Sequence, residues 1–158
     1  MSAQSDQLSP TQAAEAARIC ACFNFRRTSR AVTQFYDEIL QPCGLRSTQL
    51  VILLAAAAVE TASLARLARE LVLDRSTLTR NLKPLEKQGL IEIAPGRDKR
   101  TRLVVVTAVG HRAIMGAVPY WQEAQDRFVS QLGAGRWQKM LEDLKAAMAV
   151  TRGIQPSS

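Results

Sequence analysis

Apolar residues recur at helical spacing through Ile19, Cys22, Phe23, Val32, Phe35, Tyr36, Ile39 and Leu40. Upstream, Ser9-Pro10-Thr11-Gln12 has the form of a helix start. Ser9 can cap, Pro10 suits the first helical position, and Gln12 can close a capping box. Pro42 and Gly44 end the pattern. The spacing predicts one first helix of about 30 residues, long for a globular domain. Part of so long a helix must pack against something other than its own core, most simply a second subunit.

A second helix is predicted from about Ser47 to Val59. Its stretch from Leu50 to Val59 contains no polar side chain and belongs in the core. Thr61 or Ser63 caps a short third helix through Leu64, Leu67, Ala68 and Leu71. Asp74 caps a fourth, with Leu78, Leu82 and Leu85 on its buried face. Gly89 stops that helix, and Pro84 should kink it or disturb its last turn. The period then changes. Ile91 and Ile93 flank Glu92, a turn-rich stretch Pro95-Gly96-Arg97-Asp98-Lys99-Arg100 follows, and then the β-branched run Val104-Val105-Val106. This reads as a β-hairpin with a basic tip. Thr107 caps a fifth helix running to about Leu132, with Pro119 as a kink. After Gly133-Ala134-Gly135 a last helix carries Trp137, Met140, Leu141, Leu144 and Met148 on one side. The fold class is therefore mostly α with a small β-hairpin wing.

Charge sharpens this picture. The 158 residues carry a formal net charge of +7. Residues 1–60 hold five Lys/Arg and five Asp/Glu, residues 61–102 ten and five, and residues 103–158 six and four. The excess lies in the middle third, which fits the basic surface of a nucleic-acid binder and equally a solvated charged face that only aids solubility. Three cysteines are too few for a disulfide scaffold and suit a reducing compartment. No apolar run approaches the about 20 residues of a bilayer span. The polar N-terminus lacks an export signal. Cytoplasmic location, no membrane and no cofactor are the expectations. One histidine makes a His-based zinc or catalytic site improbable, and no metal site is expected.

Two short helices joined by the turn Leu71-Val72-Leu73-Asp74, followed by a hairpin, are the parts of a winged helix-turn-helix. The fourth helix turns Leu78 and Leu82 inward. Its other stripe holds Arg75, Ser76, Thr77, Thr79, Arg80 and Lys83. These side chains have the chemistry of major-groove reading: arginine for guanine, hydroxyls for bases or phosphates, lysine for phosphate. The helix N-terminus adds N–H groups that suit a phosphate. The hairpin tip, Arg97, Asp98, Lys99 and Arg100, is a basic finger narrow enough for a minor groove.

These stretches resemble the MarR-type transcription regulators over about residues 18 to 150. The resemblance is carried by Gly44-Leu45-Arg46-Ser47-Thr48-Gln49, Leu67-Ala68-Arg69-Glu70, Leu73 to Arg80, Leu85-Glu86-Lys87-Gln88-Gly89-Leu90-Ile91, Asp98-Lys99-Arg100 and Val106-Thr107-Ala108-Val109-Gly110. It implies an obligate homodimer of triangular outline. Residues 1–44 and 108–158 would form the dimerisation layer, and residues 45–107 the winged helix-turn-helix DNA-binding domain. It also implies a repressor that binds double-stranded DNA at a pseudo-palindromic operator, with Arg100 in the minor groove and Asp98 orienting it or a basic neighbour. Two departures stand out. Arg46 replaces a capping threonine, so that Ser47 takes over the cap. Val72 replaces the glycine of many such turns and should strain the turn slightly.

Two triggers are open. The family's usual one is a small aromatic or phenolic acid, acting as inducer, between the dimerisation layer and the DNA-binding lobe. From helix order, Phe23, Arg26, Arg30, Gln49 and Leu53 are its candidate lining, with an arginine for the carboxylate. The other is a peroxide-sensing thiol, Cys22. By resemblance it sits where the peroxide-sensing members carry theirs, with Tyr36 matching one of their thiolate-binding tyrosines. A buried, inert Cys22 is the bland alternative. On one continuous helix, Cys20 and Cys22 point about 200° apart and share neither a metal nor a disulfide. A lone His111 is structural. Two other classes stand against the regulator: a cysteine peroxidase-type enzyme, with no supporting nucleophile–base motif, and a dimerising helical adaptor, which leaves the basic stripe unexplained.

Overall fold

In the computed structural model, which describes residues 7–59, 62–98 and 101–153, the first helix is not continuous. It divides into α1 (Pro10–Ile19) and α2 (Ala21–Leu40). The capping box at Ser9 forms as expected, with Ser9 Oγ accepting from Gln12 N–H at 3.2 Å and Gln12 Oε1 accepting from Ser9 N–H at 3.0 Å. Cys20 is the break. Its backbone is extended (φ −67°, ψ 115°), and its sulfur lies 3.5 Å from the Phe23 nitrogen as the cap of α2. Asn24 secures the break. Its amide nitrogen donates to the carbonyls of Ala17 and Arg18 in the last turn of α1 at 3.4 and 3.1 Å, and to that of Cys20 at 2.9 Å, which also accepts the Asn24 backbone N–H. The single helix of about 30 residues is thus corrected, because a side chain satisfies the broken end. The 200° argument for Cys20 and Cys22 falls with it, since Cys20 lies outside both helices.

A 3-10 turn, Gln41–Cys43, and left-handed Gly44 (φ +73°) lead to α3 (Ser47–Ala57). Ser47 does not cap α3. Arg46 stands at the cap position, and Gln49 Oε1 accepts the Arg46 N–H at 2.9 Å. Ser47 instead donates its N–H to Asp37 Oδ1 at 2.6 Å. Leu50, Ile52, Leu53 and Ala56 bury α3 in the core.

A two-residue strand β1 (Ala62–Ser63) precedes α4 (Leu64–Glu70), whose cap is Ser63, its hydroxyl accepting from Arg66 N–H. Thr61, the other candidate cap, lies outside the described residues. Then come α5 (Arg75–Lys87), β2 (Ile91–Pro95), β3 (Arg102–Val106), α6 (Ala108–Leu132) and α7 (Ala134–Gly153). The hairpin pairs Ile91 with Val106 and Pro95 with Arg102. β1 adds a third antiparallel strand on the other side of β3, in the order β1-β3-β2. A pair of residues carries no readable alternation, so only tertiary packing reveals it.

Neither internal proline ends its helix. α5 runs through Pro84 to Lys87, and α6 through Pro119 to Leu132. The core forms where α3, α4 and α5 meet the sheet and α6. Leu40, Leu53, Leu67, Leu78, Leu82, Leu85, Ile91 and Val104 are fully enclosed there. The hinge between wing and α6 is tight. Thr107 donates its N–H to the Leu90 carbonyl at 3.1 Å and its hydroxyl to the Gly89 carbonyl at 2.6 Å. A Cβ at Gly110 would run into that same Leu90 oxygen, so only glycine lets α6 start against the sheet.

Candidate nucleic-acid interface

The geometry of α5 follows from its sequence pattern. Leu78, Leu82 and Leu85, at i, i+4 and i+7, are wholly buried. That burial fixes the helix rotation and leaves Arg75, Ser76, Thr79, Arg80 and Lys83 exposed together, around one shallow depression. Among the described residues no acidic side chain borders that depression.

The helix start differs from the expectation. Asp74 Oδ1 accepts the Thr77 N–H at 2.8 Å and the Ser76 hydroxyl at 2.5 Å, while Oδ2 accepts the Thr77 hydroxyl at 2.7 Å. These donors, the Ser76 hydroxyl foremost, hold the Asp74 carboxyl well below the usual carboxylate range. The chain's own carboxylate therefore takes the Thr77 N–H among the N-terminal groups foreseen for a phosphate. The Ser76 and Thr77 hydroxyls are engaged inside the cap, and the Thr79 hydroxyl donates to the Arg75 carbonyl at 2.8 Å. Outward chemistry on α5 rests chiefly on the three cations.

At the wing tip, Arg97 and Asp98 are exposed. The tip is closed by Thr101 N–H to the Asp98 carbonyl (2.9 Å) and Gly96 N–H to the Thr101 carbonyl (2.8 Å). Lys99 and Arg100 lie outside the described residues.

A second feature was not legible as such. A cavity of about 520 Å³ lies between α2, α3, the turn before α5, and α6. Its walls include Tyr36, Ser47, Leu71, Leu73, Asn81 and Trp121. None of the five residues proposed for a ligand lines it. Phe23 is exposed at the start of α2, and Arg26 and Arg30 border a separate shallow surface depression. Gln49 serves the start of α3, and Leu53 is enclosed in the core. The α2 face that does line the cavity carries Ser29, Val32, Thr33 and Tyr36, an i, i+3, i+4, i+7 row, with Ser29 also bordering the neighbouring depression of Arg26 and Arg30. That row is the signal by which the sequence could have marked it.

Cys22 is exposed. Tyr36 stands fourteen positions further along α2, about 21 Å within one chain, so the two do not form a unit in one subunit. Tyr36 instead donates its hydroxyl to Gln125 Oε1 at 2.6 Å, tying α2 to α6. Burial pushes its phenol above the ordinary range. Among the described residues no group of three His, Cys, Asp or Glu could hold a metal ion, and no single helix is long and apolar enough to cross a membrane.

Comparison with known proteins places this geometry. Residues 44–101 match the MarR family. The organic hydroperoxide resistance transcriptional regulator of Bacillus subtilis is 33% identical over 90 residues, 56% of this chain and 61% of its own length. The chain spans about three fifths of the length of the curated relatives it matches, 59% and 61% for two of them. The structure of the M. tuberculosis transcriptional regulator MosR in complex with DNA is 33% identical. It aligns over 84% of this chain and 98% of that one, with a TM-score of 0.73. An E. coli MarR variant complexed with operator DNA shares the fold at a TM-score of 0.75 and 22% identity, over 84% of this chain and 96% of its own. With its winged helix-turn-helix, its leucine-anchored α5 and a relative matched over nearly its whole length, the chain belongs to the MarR family of transcriptional regulators.

Proposed function

We propose that this protein binds duplex DNA as a homodimer at a pseudo-palindromic operator and acts there as a repressor. Each subunit sets α5 in a major groove and its wing in the adjacent minor groove, with half-sites about one helical turn apart. The observation that carries this is the α5 face itself: Arg75, Arg80 and Lys83 exposed side by side, opposite three buried leucines. The related MosR structure, described as a complex with DNA, supports it. Arg97, Asp98, Lys99 and Arg100 are assigned to the wing's contact, and Ser76, Thr77 and Thr79 to support or direct contact from α5.

The dimer follows from what a single chain leaves uncovered. Ile19, Phe23 and Phe25 at the α1–α2 junction, and Met140, Leu144, Met148 and Val150 on α7, are exposed apolar side chains on long helices. A monomer rarely presents so much, and a two-fold partner would cover it. Release is assigned to a small aromatic or phenolic ligand in the cavity behind α5.

A mobility-shift titration at several salt concentrations tests the reading. Arg75→Ala and Arg80→Ala should weaken operator binding more than random-DNA binding, and binding should fall steeply with salt. Equal losses on both DNAs would remove α5 as the reading element. A second reading, oxidation of Cys22 as trigger, is favoured by the exposure of that thiol and by the name of the B. subtilis relative. Given the 21 Å separation, Tyr36 would support it only from the partner subunit. A Cys22 that stays unreacted with a thiol probe in the native protein would dispose of this reading.

A further inference from the structure

We infer that the ligand taken by the cavity is an uncharged, hydroxyl-bearing aromatic compound, and that carboxylic acids are excluded from it. The inference deepens the ligand-release reading above and rests on it for the location only. Fifteen residues line the cavity, and none of them is ionised. Nine are apolar, Trp121 and Leu54 among them. The six polar ones are neutral hydroxyls and one amide: Ser29, Thr33, Tyr36, Ser47, Thr48 and Asn81.

A carboxylate entering this space would lose water without gaining a cation, which is strongly unfavourable in a partly enclosed apolar site. An acidic side chain is bonded to the cavity wall. The Asp37 carboxylate accepts the Ser47 N–H at 2.6 Å, directly behind the wall. Arg26 and Arg30 border an adjoining depression that shares Ser29 with the cavity, and neither of them lines the cavity itself. Tyr36, its phenol raised by burial, stays neutral at physiological pH. A neutral aromatic ring would instead meet Trp121 and the leucines, while its hydroxyl finds donors and acceptors on several sides. Ser47 in addition carries a buried hydroxyl without a partner among the described residues. About 520 Å³ holds one or two rings.

The test uses the full-length protein with a Trp137→Phe substitution, so that Trp121 is the sole indole. Quenching of its fluorescence is titrated at pH 7 with two matched probes, methyl 4-hydroxybenzoate and 4-hydroxybenzoate. The neutral ester should bind at least about tenfold more tightly. Thr48→Lys, which places a cation at the exposed rim, should narrow or invert that preference. Leu54→Phe, which fills part of the space and adds no indole, should weaken binding of the ester at least about tenfold. Equal or tighter binding of the acid to the parent protein overturns the inference, and so does the absence of binding by either probe at millimolar concentration. DNA release is scored separately. An ester that binds but leaves the DNA complex intact defeats the release reading and leaves the ligand class standing.

Discussion

Val72 is the one non-glycine with positive φ (52°) among the described residues. It sits in the turn between α4 and α5, and as a β-branched residue it is poorly suited to the left-handed region. Val72→Gly should therefore stabilise the fold. The left-handed conformation costs an ordinary residue about 1–2 kcal/mol, and valine belongs at the upper end. Against that relief stand two losses. Glycine adds freedom to the unfolded chain, about 0.5–1 kcal/mol. Val72 is 67% exposed, so the burial forfeited is small, about 0.5 kcal/mol. The net gain is about 0.5–1 kcal/mol, a rise of about 1–4 °C in Tm for a chain of this size. Urea denaturation at fixed protein concentration, followed by circular dichroism, measures it, because a dimer's apparent stability depends on concentration. Val72→Ala is the control: it gives up the same burial, keeps most of the strain, and should gain nothing. A Val72→Gly protein less stable than its parent would refute the claim that this turn is strained.

Gly110→Ala should lose about 2–3 kcal/mol by urea denaturation, since its Cβ meets the Leu90 carbonyl. Gly116→Ala, in the same helix with open space around it, should gain up to about 1 kcal/mol by the same measurement. Asp74 has a lowered folded value, so its stabilising effect is present above the unfolded value near 3.9. It is lost as pH falls through the folded value. Asp74→Asn keeps a cap but should flatten the Tm-against-pH curve below about pH 4, and an unchanged acid limb would contradict the cap geometry. Tyr36→Phe should cost about 1 kcal/mol through loss of the Gln125 hydrogen bond, read as a lower denaturation midpoint.

What was legible in the sequence was local. Leu78, Leu82 and Leu85 fix the rotation of α5 by period alone, so its cationic face is readable from one strip of chain. Ser9, Ser63, Asp74 and Thr107 are all caps, as their residue types announce. The failures are those where a distant group decides. The break at Cys20 depends on Asn24 reaching back to three carbonyls. β1 exists because β3 offers it a partner. Leu53, named for a ligand, is enclosed in the core while its neighbour Leu54, a 100° rotation away, lines the cavity. On α2 the cavity is lined by the row of Ser29, Val32, Thr33 and Tyr36 rather than by the arginines beside it. Charge points to Arg26 and Arg30, where packing geometry favours Ser29 and Thr33.

The turn from Leu71 to Asp74 joins these separate features in four consecutive residues. Leu71 and Leu73 are walls of the cavity, Val72 is strained, and Asp74 holds the first turn of α5. A ligand shifts DNA affinity only as far as its own affinity differs between two arrangements of the protein. Most of the cavity wall belongs to α2, α3 and α6, which meet in the core and offer little such difference. The turn and Asn81 are the parts of that wall that belong to the recognition unit, so any difference must arise there. With Asp74 engaged at the first turn, the contact proposed for α5 depends on where Arg75, Arg80 and Lys83 point, and that depends on the orientation of α5 as a body. A small rotation of α5 at this turn, tolerated because Val72 already lies high in energy, would misplace all three cations at once. Relieving the strain with Val72→Gly should therefore alter how strongly a cavity ligand weakens operator binding, as well as the stability. An unchanged ligand effect in a stabilised variant would separate the strain from the coupling.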